Sequence, residues 1–341
     1  MTEIRTDPVT GNQVIIATER GKRPTDLKSV LPEKKVKKIE DSCPFCPGNE
    51  EKTPPEISRI NRRDKWTVRV VPNKYPAVSM ESSCNINDSI LFKKEKGKGK
   101  HEVIIESREH NKSFFYMDIK EFEYMLKMYK KRYKDLINLE GIKYVSIFKN
   151  YKKEAGASLE HPHSQAIALP LVPKLIKEEL HGSKNYFEKE GNCIYCDIIK
   201  EELNNNERII TETKNFLVLA PYASIYSYHT QIIPKEHKSN FETINNKLIE
   251  ELAILLFDIF NRMGRLLGDF PFNMYLHTLP KDEENHNKTY HWHMEIAPRL
   301  SNQAGFELGS GMYINTVAPE QAAKVLRSVP TNCCNKKAYI V

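Results

Sequence analysis

Apolar residues recur with helical period at two places, Phe122, Met125, Leu126 and Tyr129, and Leu248, Leu252, Leu255, Leu256 and Ile259. Both stripes predict amphipathic helices whose apolar faces are core. Short runs rich in β-branched and aromatic residues surround them: Val14–Ala17, Trp66–Val71, Tyr144–Phe148 and Phe216–Ala220. Each half of the chain therefore predicts an antiparallel sheet with a helix packed across it, and the expected class is α+β. The segment from Val30 to Ser42 is charged and poor in apolar residues, and reads as a loop. The alternation Lys96-Gly97-Lys98-Gly99-Lys100 reads as a flexible hairpin tip.

The pattern also repeats. Cys-x-x-Cys, an extended segment ending in a lone His, a helix and then His-x-His occur in that order twice. The first set is Cys43/Cys46, His110 and His161-Pro162-His163; the second is Cys193/Cys196, His237 and His291-Trp292-His293. This order argues for duplication, with one unit at 1–175 and the other at 185–341. The polar, helix-like stretch between Pro173 and Cys193, which includes Gly182 and Gly191, joins them.

The 341 residues carry a net charge of +7, compatible with phosphorylated partners, but the basic residues are scattered and their runs read as solvated loops. Neither nucleic acid nor a membrane is expected as a partner. No stretch has the apolar length of a membrane span, and the N-terminal residues lack a signal-peptide core, so a cytoplasmic protein is expected. In that setting Cys-x-x-Cys suggests metal or redox chemistry rather than disulfides, and Cys84, Cys333 and Cys334 have no such pairing.

Two thiolates on one tetrahedral ion leave two positions to fill. The repeat offers His110 and His161 for the first ion, and His237 and His291 for the second, with His277 as a possible replacement for His237. Residues two apart on an extended segment share a face, so His163 stands beside the ligand His161 and is left free to act as a nucleophile. Gly156-Ala157-Ser158 ahead of it, and Ser164-Gln165 behind it, offer small and neutral hydrogen-bonding residues where a phosphate could approach. The second half has Glu295 where the first has Gln165. A carboxylate there repels phosphate, so the second half is expected to be a structural copy.

These residues resemble the galactose-1-phosphate uridylyltransferase family of the histidine-triad superfamily. The likeness rests on Arg5–Gly11 with Arg20 and Arg23-Pro24, Cys43–Glu50, Pro72–Ala77, His110, Asn150 and Gly156–Gln165. It implies tandem histidine-triad repeats, a homodimer, and double displacement through a nucleotidyl-histidine at His163. Nucleotide sugar and sugar 1-phosphate, or phosphate, would be the substrates, and zinc the metal, two per chain. By position, Asn150, Ser158 and Gln165 would contact the reacting phosphates, with Gln165 steadying the transferred group. Arg20 and Arg23 would bind phosphate and Asn73 the nucleoside.

Some positions depart from the uridylyltransferase pattern. Lys74 follows Asn73 where an Asp is usual, and Gly311 and Val317 stand where a Glu and a Gln hold sugar hydroxyls. The stretch Gly305–Asn315, in which Phe306 and Gly309 would meet substrate, is similar to ADP-glucose phosphorylase-like members, as are Ala157, Ser164 and the second Cys-x-x-Cys. The first expectation is hexose-1-phosphate uridylyltransfer, UDP-glucose and galactose 1-phosphate giving glucose 1-phosphate and UDP-galactose. The alternatives are a phosphorylase of ADP-glucose type, a hydrolase in which water resolves the intermediate, and a noncatalytic zinc-dependent nucleotide-binding module.

Overall fold

The computed structural model describes residues 2–22, 37–82 and 89–330. Arg23, Cys84, Cys333, Cys334 and most of the loop expected from Val30 lie outside the described residues. The strands are β1 (Thr2–Thr6), β2 (Gln13–Ala17), β3 (Ser58–Arg62), β4 (Lys65–Pro72), β5 (Lys100–Ile105), β6 (Tyr144–Tyr151), β7 (His163–Leu169), β8 (Ile209–Glu212), β9 (Phe216–Leu219), β10 (Thr230–Pro234), β11 (Phe272–His277), β12 (His293–Pro298) and β13 (Tyr313–Asn315). The helices are α1 (Ile119–Ile137), α2 (Lys174–Glu190), α3 (Ile194–Asn205), α4 (Asn246–Leu267), α5 (Gly305–Ser310) and α6 (Pro319–Ser328).

Ten strands form one antiparallel sheet in the order β3-β4-β5-β7-β6-β11-β12-β10-β9-β8. Each five-strand half has the same topology, and the halves meet along β6 and β11. Phe148 lies opposite Gln165 and Tyr275 opposite Glu295, so Phe148 and Tyr275 hold equivalent repeat positions; across the seam they pair with each other. The duplication is thus a pseudo-twofold centred on that pair.

Both predicted helices lie on one face of the sheet. Asp118 opens α1 with a capping box, its carboxylate accepting from the Glu121 amide while the Glu121 side chain accepts from its own. Phe122, Met125, Leu126 and Tyr129 of α1, and Leu252, Leu255, Leu256 and Ile259 of α4, are buried in one core with the inward residues of both halves, among them Val70, Ile104, Ala166, Val218, Ile232 and Met294. The opposite face carries the cysteine and histidine groups.

Two local readings change. Gly99 is no hairpin tip: it is buried just before β5, where an added Cβ would stand 2.1 Å from the Ala168 carbonyl oxygen. β1 and β2 do not join the first five strands but form a small sheet with β13, which pairs parallel to β2. This sheet packs against the segment before β10, where Val14 and Ile16 meet Ala223 and Asn315 donates to the Ser224 carbonyl.

The N-terminal segment also presses on α2, where a Cβ at Gly182 would lie 1.8 Å from the Val9 carbonyl oxygen. Gly182→Ala is expected to cost about 2 kcal/mol, the usual order for overpacking. Gly305→Ala, with nothing within 4 Å of its added Cβ, is expected to cost well under that; urea unfolding of the two variants checks the contrast.

Candidate active site and metal-binding groups

The turn from Cys43 to Cys46 is closed by a bond from the Cys46 amide to the Cys43 carbonyl, and the amides of Phe45 and Glu40 point at the two sulfurs. Cys46 Sγ lies 3.6 Å from His110 Nδ1 and 3.6 Å from His161 Nδ1. A tetrahedral ion at ordinary metal–sulfur and metal–nitrogen lengths sets such atoms roughly 3.6 Å apart. His161 Nε2 donates to the Ser107 carbonyl at 2.8 Å, which leaves Nδ1 with its lone pair toward the sulfurs. Burial drives this imidazole down to about 3 and pushes the Cys43 thiol up to about 11. A thiolate at Cys43 therefore calls for a cation beside it.

The second group repeats the first. Cys196 Sγ stands 3.4 Å from His237 Nδ1 and 3.8 Å from His291 Nδ1, and His237 Nε2 donates to the Asn287 carbonyl. His237, not His277, thus completes this set. In each group the four donor atoms lie within 4.8 Å of one another.

His163 opens β7 and is buried, with the edge of Phe45 against its ring. Its Nδ1 lies 2.7 Å from the His161 carbonyl, which can only accept, so the proton is on Nδ1 and the lone pair on Nε2. Burial lowers its pKa, favouring the neutral, nucleophilic form. Antiparallel pairing places Ile105 opposite His163, Val103 opposite Gln165 and His101 opposite Ile167, so His101, His163 and Gln165 share one face. The register with β6 adds Phe148 and Asn150 to that face. Asn150 accepts from Asn273, and Gly156 turns the loop beside it at φ +87°, a left-handed conformation that favours glycine.

His101 escaped the sequence reading. It stands 2.8 Å from Gln165 Oε1, with Asn73 Nδ2 3.4 Å from the same oxygen. Only its two-residue offset from Val103, within an alternating strand, marked it for this face.

Behind β7, on the helix side, lies a buried polar network. Glu106 pairs with Lys149 and accepts from Ser164 and from Tyr129. Lys149 also donates to the His163 carbonyl at 3.1 Å. The equivalent positions of the second half are apolar or lack a donor: Leu276 for Lys149, Met294 for Ser164 and Pro234 for Glu106. The ion pair belongs to the half that carries His163.

The second half has a different interior. A cavity of about 500 Å³ opens beside His293 and is walled by Asp7, Glu179, Tyr195, His229, His277 and Glu295. Glu179 of α2 accepts from His277 at 2.8 Å, and with His293 it makes a third set of donor atoms close enough for one ion. Sequence reading missed Glu179 because it lies within a polar helix. His229 holds Glu295 at 2.9 Å.

The remaining expected contacts are spread out. Ser158 is exposed on the loop before His161, and Asn73 lies beside Gln165. Arg20 is exposed on a 3-10 turn after β2, next to the small sheet. Phe306 and Gly309 are exposed on α5, which packs beside β13 of that sheet.

Comparison with known proteins accounts for this arrangement. Residues 1–173 match the model of the galactose-1-phosphate uridyl transferase N-terminal domain, and residues 178–338 that of its C-terminal domain. The chain belongs to the galactose-1-phosphate uridylyltransferase family, a family of nucleotidyltransferase enzymes. It is 39% identical to an ADP-glucose phosphorylase of Arabidopsis thaliana, over 96% of this chain and 93% of that protein. It is 31% identical to a galactose-1-phosphate uridylyltransferase of Thermotoga maritima, over 96% of this chain and 98% of that one. The crystal structure of an Arabidopsis thaliana ADP-glucose phosphorylase with bound ADP-glucose superposes with a TM-score of 0.83 at 37% identity, covering 97% of this chain and all of that one. A uridylyltransferase structure gives 0.74 at 26% identity, over 96% and 98%.

Removing one partner of a fully buried ion pair leaves an uncompensated charge. Lys149→Met is expected to cost about 3–5 kcal/mol, and adding Glu106→Leu to recover much of it. A double-mutant cycle in urea unfolding measures this.

Proposed function

We propose that the chain transfers a nucleotidyl group through a covalent bond between His163 Nε2 and the α-phosphorus of a nucleotide sugar. The observation that carries this is the set lone pair on Nε2, held by the bond from Nδ1 to the His161 carbonyl, with Gln165 on the same face. Nε2 attacks the α-phosphorus, and the bond to the bridging oxygen breaks with its electrons leaving on the sugar 1-phosphate. An oxygen of the acceptor phosphate then attacks, and the phosphorus–nitrogen bond returns its electrons to Nε2. The amide of Gln165 donates to the phosphoryl oxygens as charge builds, and Asn150 and Ser158 contact the phosphates. The acid-walled cavity at His293 disfavours the same chemistry in the second half.

For the acceptor, inorganic phosphate is the favoured reading, with ADP-glucose as donor and ADP and glucose 1-phosphate as products. Its support is the 39% identity and TM-score of 0.83 to ADP-glucose phosphorylase, together with Gly311 and Val317 where the uridylyltransferase pattern has hydrogen-bonding side chains. Uridylyl transfer to galactose 1-phosphate is the second reading, supported by the 31% identity to the Thermotoga maritima enzyme.

Zinc suits both cysteine–histidine groups: two sulfurs and two imidazole nitrogens fill a tetrahedron and leave no open position, so the ions would hold the fold. Thiolate ligands fit a reducing, cytoplasmic setting, and among the described residues no helix is long and apolar enough to cross a membrane. A homodimer fits the spread of the expected contacts. The small sheet packs next to β10, four strands from β7, or roughly 19 Å of sheet. A second copy could bring Arg20, Phe306 and Gly309 to His163, and the exposed Phe306 and Leu308 offer it an apolar surface.

Incubation with labelled ADP-glucose or UDP-glucose, with phosphate or galactose 1-phosphate, is expected to give ADP and glucose 1-phosphate from the first donor with phosphate. His163→Ala is expected to take no covalent label while melting like the parent chain; a labelled variant would refute the mechanism. Elemental analysis is expected to find about two zinc ions per chain, and Cys193→Ser to lose one.

A further inference from the structure

Gln165 can serve a phosphoryl group only if its amide nitrogen, not its oxygen, points at the substrate. The two ends of a carboxamide have nearly the same shape, so neighbouring donors and acceptors decide which way it turns. Here the decision runs through His101. The Ala77 amide donates to His101 Nδ1 at 3.1 Å, which places the ring proton on Nε2. That Nε2 lies 2.8 Å from Gln165 Oε1 and donates to it. The backbone amide of Asn73 donates to the His101 carbonyl at 2.9 Å, tying the loop that carries Asn73 and Ala77 to β5.

Asn73 reinforces the same choice. The Tyr75 amide donates to Asn73 Oδ1 at 2.9 Å, so Nδ2 is the atom turned inward, beside the protonated His101 Nε2 at 3.2 Å and 3.4 Å from Gln165 Oε1, to which it can donate. At that length it is the weaker donor. Two donors therefore converge on the Gln165 oxygen and, among the described residues, leave its NH2 uncommitted.

The repeat supplies an internal comparison. His101 precedes Glu102, which pairs with Ala166; His229 precedes Thr230, which pairs with Ile296. Ala166 and Ile296 each follow the residue at the Gln165 position, so His101 and His229 are equivalent. His229 holds Glu295 through Nε2 at 2.9 Å, as His101 holds Gln165. The duplication kept the holding histidine while the held residue changed from amide to carboxylate. A carboxylate has two like oxygens and needs no orienting; an amide does.

We infer that His101 is a positioning residue for the nucleotidyl transfer proposed above, locking the Gln165 amide with its NH2 toward the α-phosphoryl group. The inference rests on that reading of His163. Without the His101 donor, Gln165 turns over for part of the time and presents its oxygen to an anion. The loss then falls on the chemical step rather than on substrate capture, because the charge that the NH2 meets grows in the transition state.

The test uses the full chain and ADP-glucose labelled at its α-phosphate, following the rate of covalent labelling in a single turnover. His101→Phe is expected to slow labelling about 10- to 100-fold at saturation, with half-saturation shifted less than about threefold. His101→Gln, which can again donate to Oε1, is expected to recover most of the rate. His229→Phe is the control for loss of the same histidine in the other half, and thermal melting of each variant accompanies the rates. Labelling by His101→Phe within twofold of the parent would overturn the inference. So would equal slowing in His101→Phe and His229→Phe with equal loss of thermal stability. A parent chain that takes no label from ADP-glucose or UDP-glucose would instead remove the nucleotidyl-histidine reading, and this inference with it.

Discussion

The register of β7 between β5 and β6 is the constraint on which the half that carries His163 depends. Alternation along this strand turns His163 and Gln165 to one side and Ser164, Ala166 and Ala168 to the other, toward α1. A slip of one residue would bury His163 under a helix and turn Ser164 to the other face. Apolar pairs alone discriminate weakly between the two registers. The polar network does so strongly, because Ser164 must meet Glu106 and Tyr129, and Lys149 must find the His163 carbonyl. Such a network is a poor source of stability compared with an apolar core, and a good source of uniqueness.

The two halves show what a repeated scaffold keeps and what it changes. Topology, helix placement, the cysteine–histidine group and the holding histidine persist in both. What differs is charge. Neutral Asn150 and Gln165 in the first half correspond to His277 and Glu295 in the second, and the buried ion pair corresponds to apolar residues. The second interior has become a cavity rich in carboxylates and imidazoles, with Glu179 drawn in from α2.

Much of this was legible in the sequence. The helical stripes of α1 and α4 are read from periodicity because each helix buries one face, whereas the four strand runs show in their β-branched and aromatic composition, β9 being buried on both faces. Both cysteine–histidine groups follow from spacing, since Cys-x-x-Cys and the paired histidines recur in order. Contacts that depend on register were not legible. His101 and Gln165 are 64 positions apart and meet only once β5 is aligned on β7. Gly99 looked like a tip because glycine marks both flexible turns and close approaches, and only its neighbour Ala168 tells them apart. Glu179 gave no sign, because a carboxylate on a polar helix is ordinary until the helix is docked.

The seam between β6 and β11 carries one further consequence. Because Phe148 pairs with its own counterpart Tyr275, the junction has the geometry of a symmetric dimer interface whose subunits have been fused into one chain. A seam of this kind joins two like units edge to edge into one sheet, and the same twofold relates the face that carries His163 to the face that carries His293. Because both units lie in one chain, nothing requires them to be alike, and the residues around His163 and His293 are free to differ in charge.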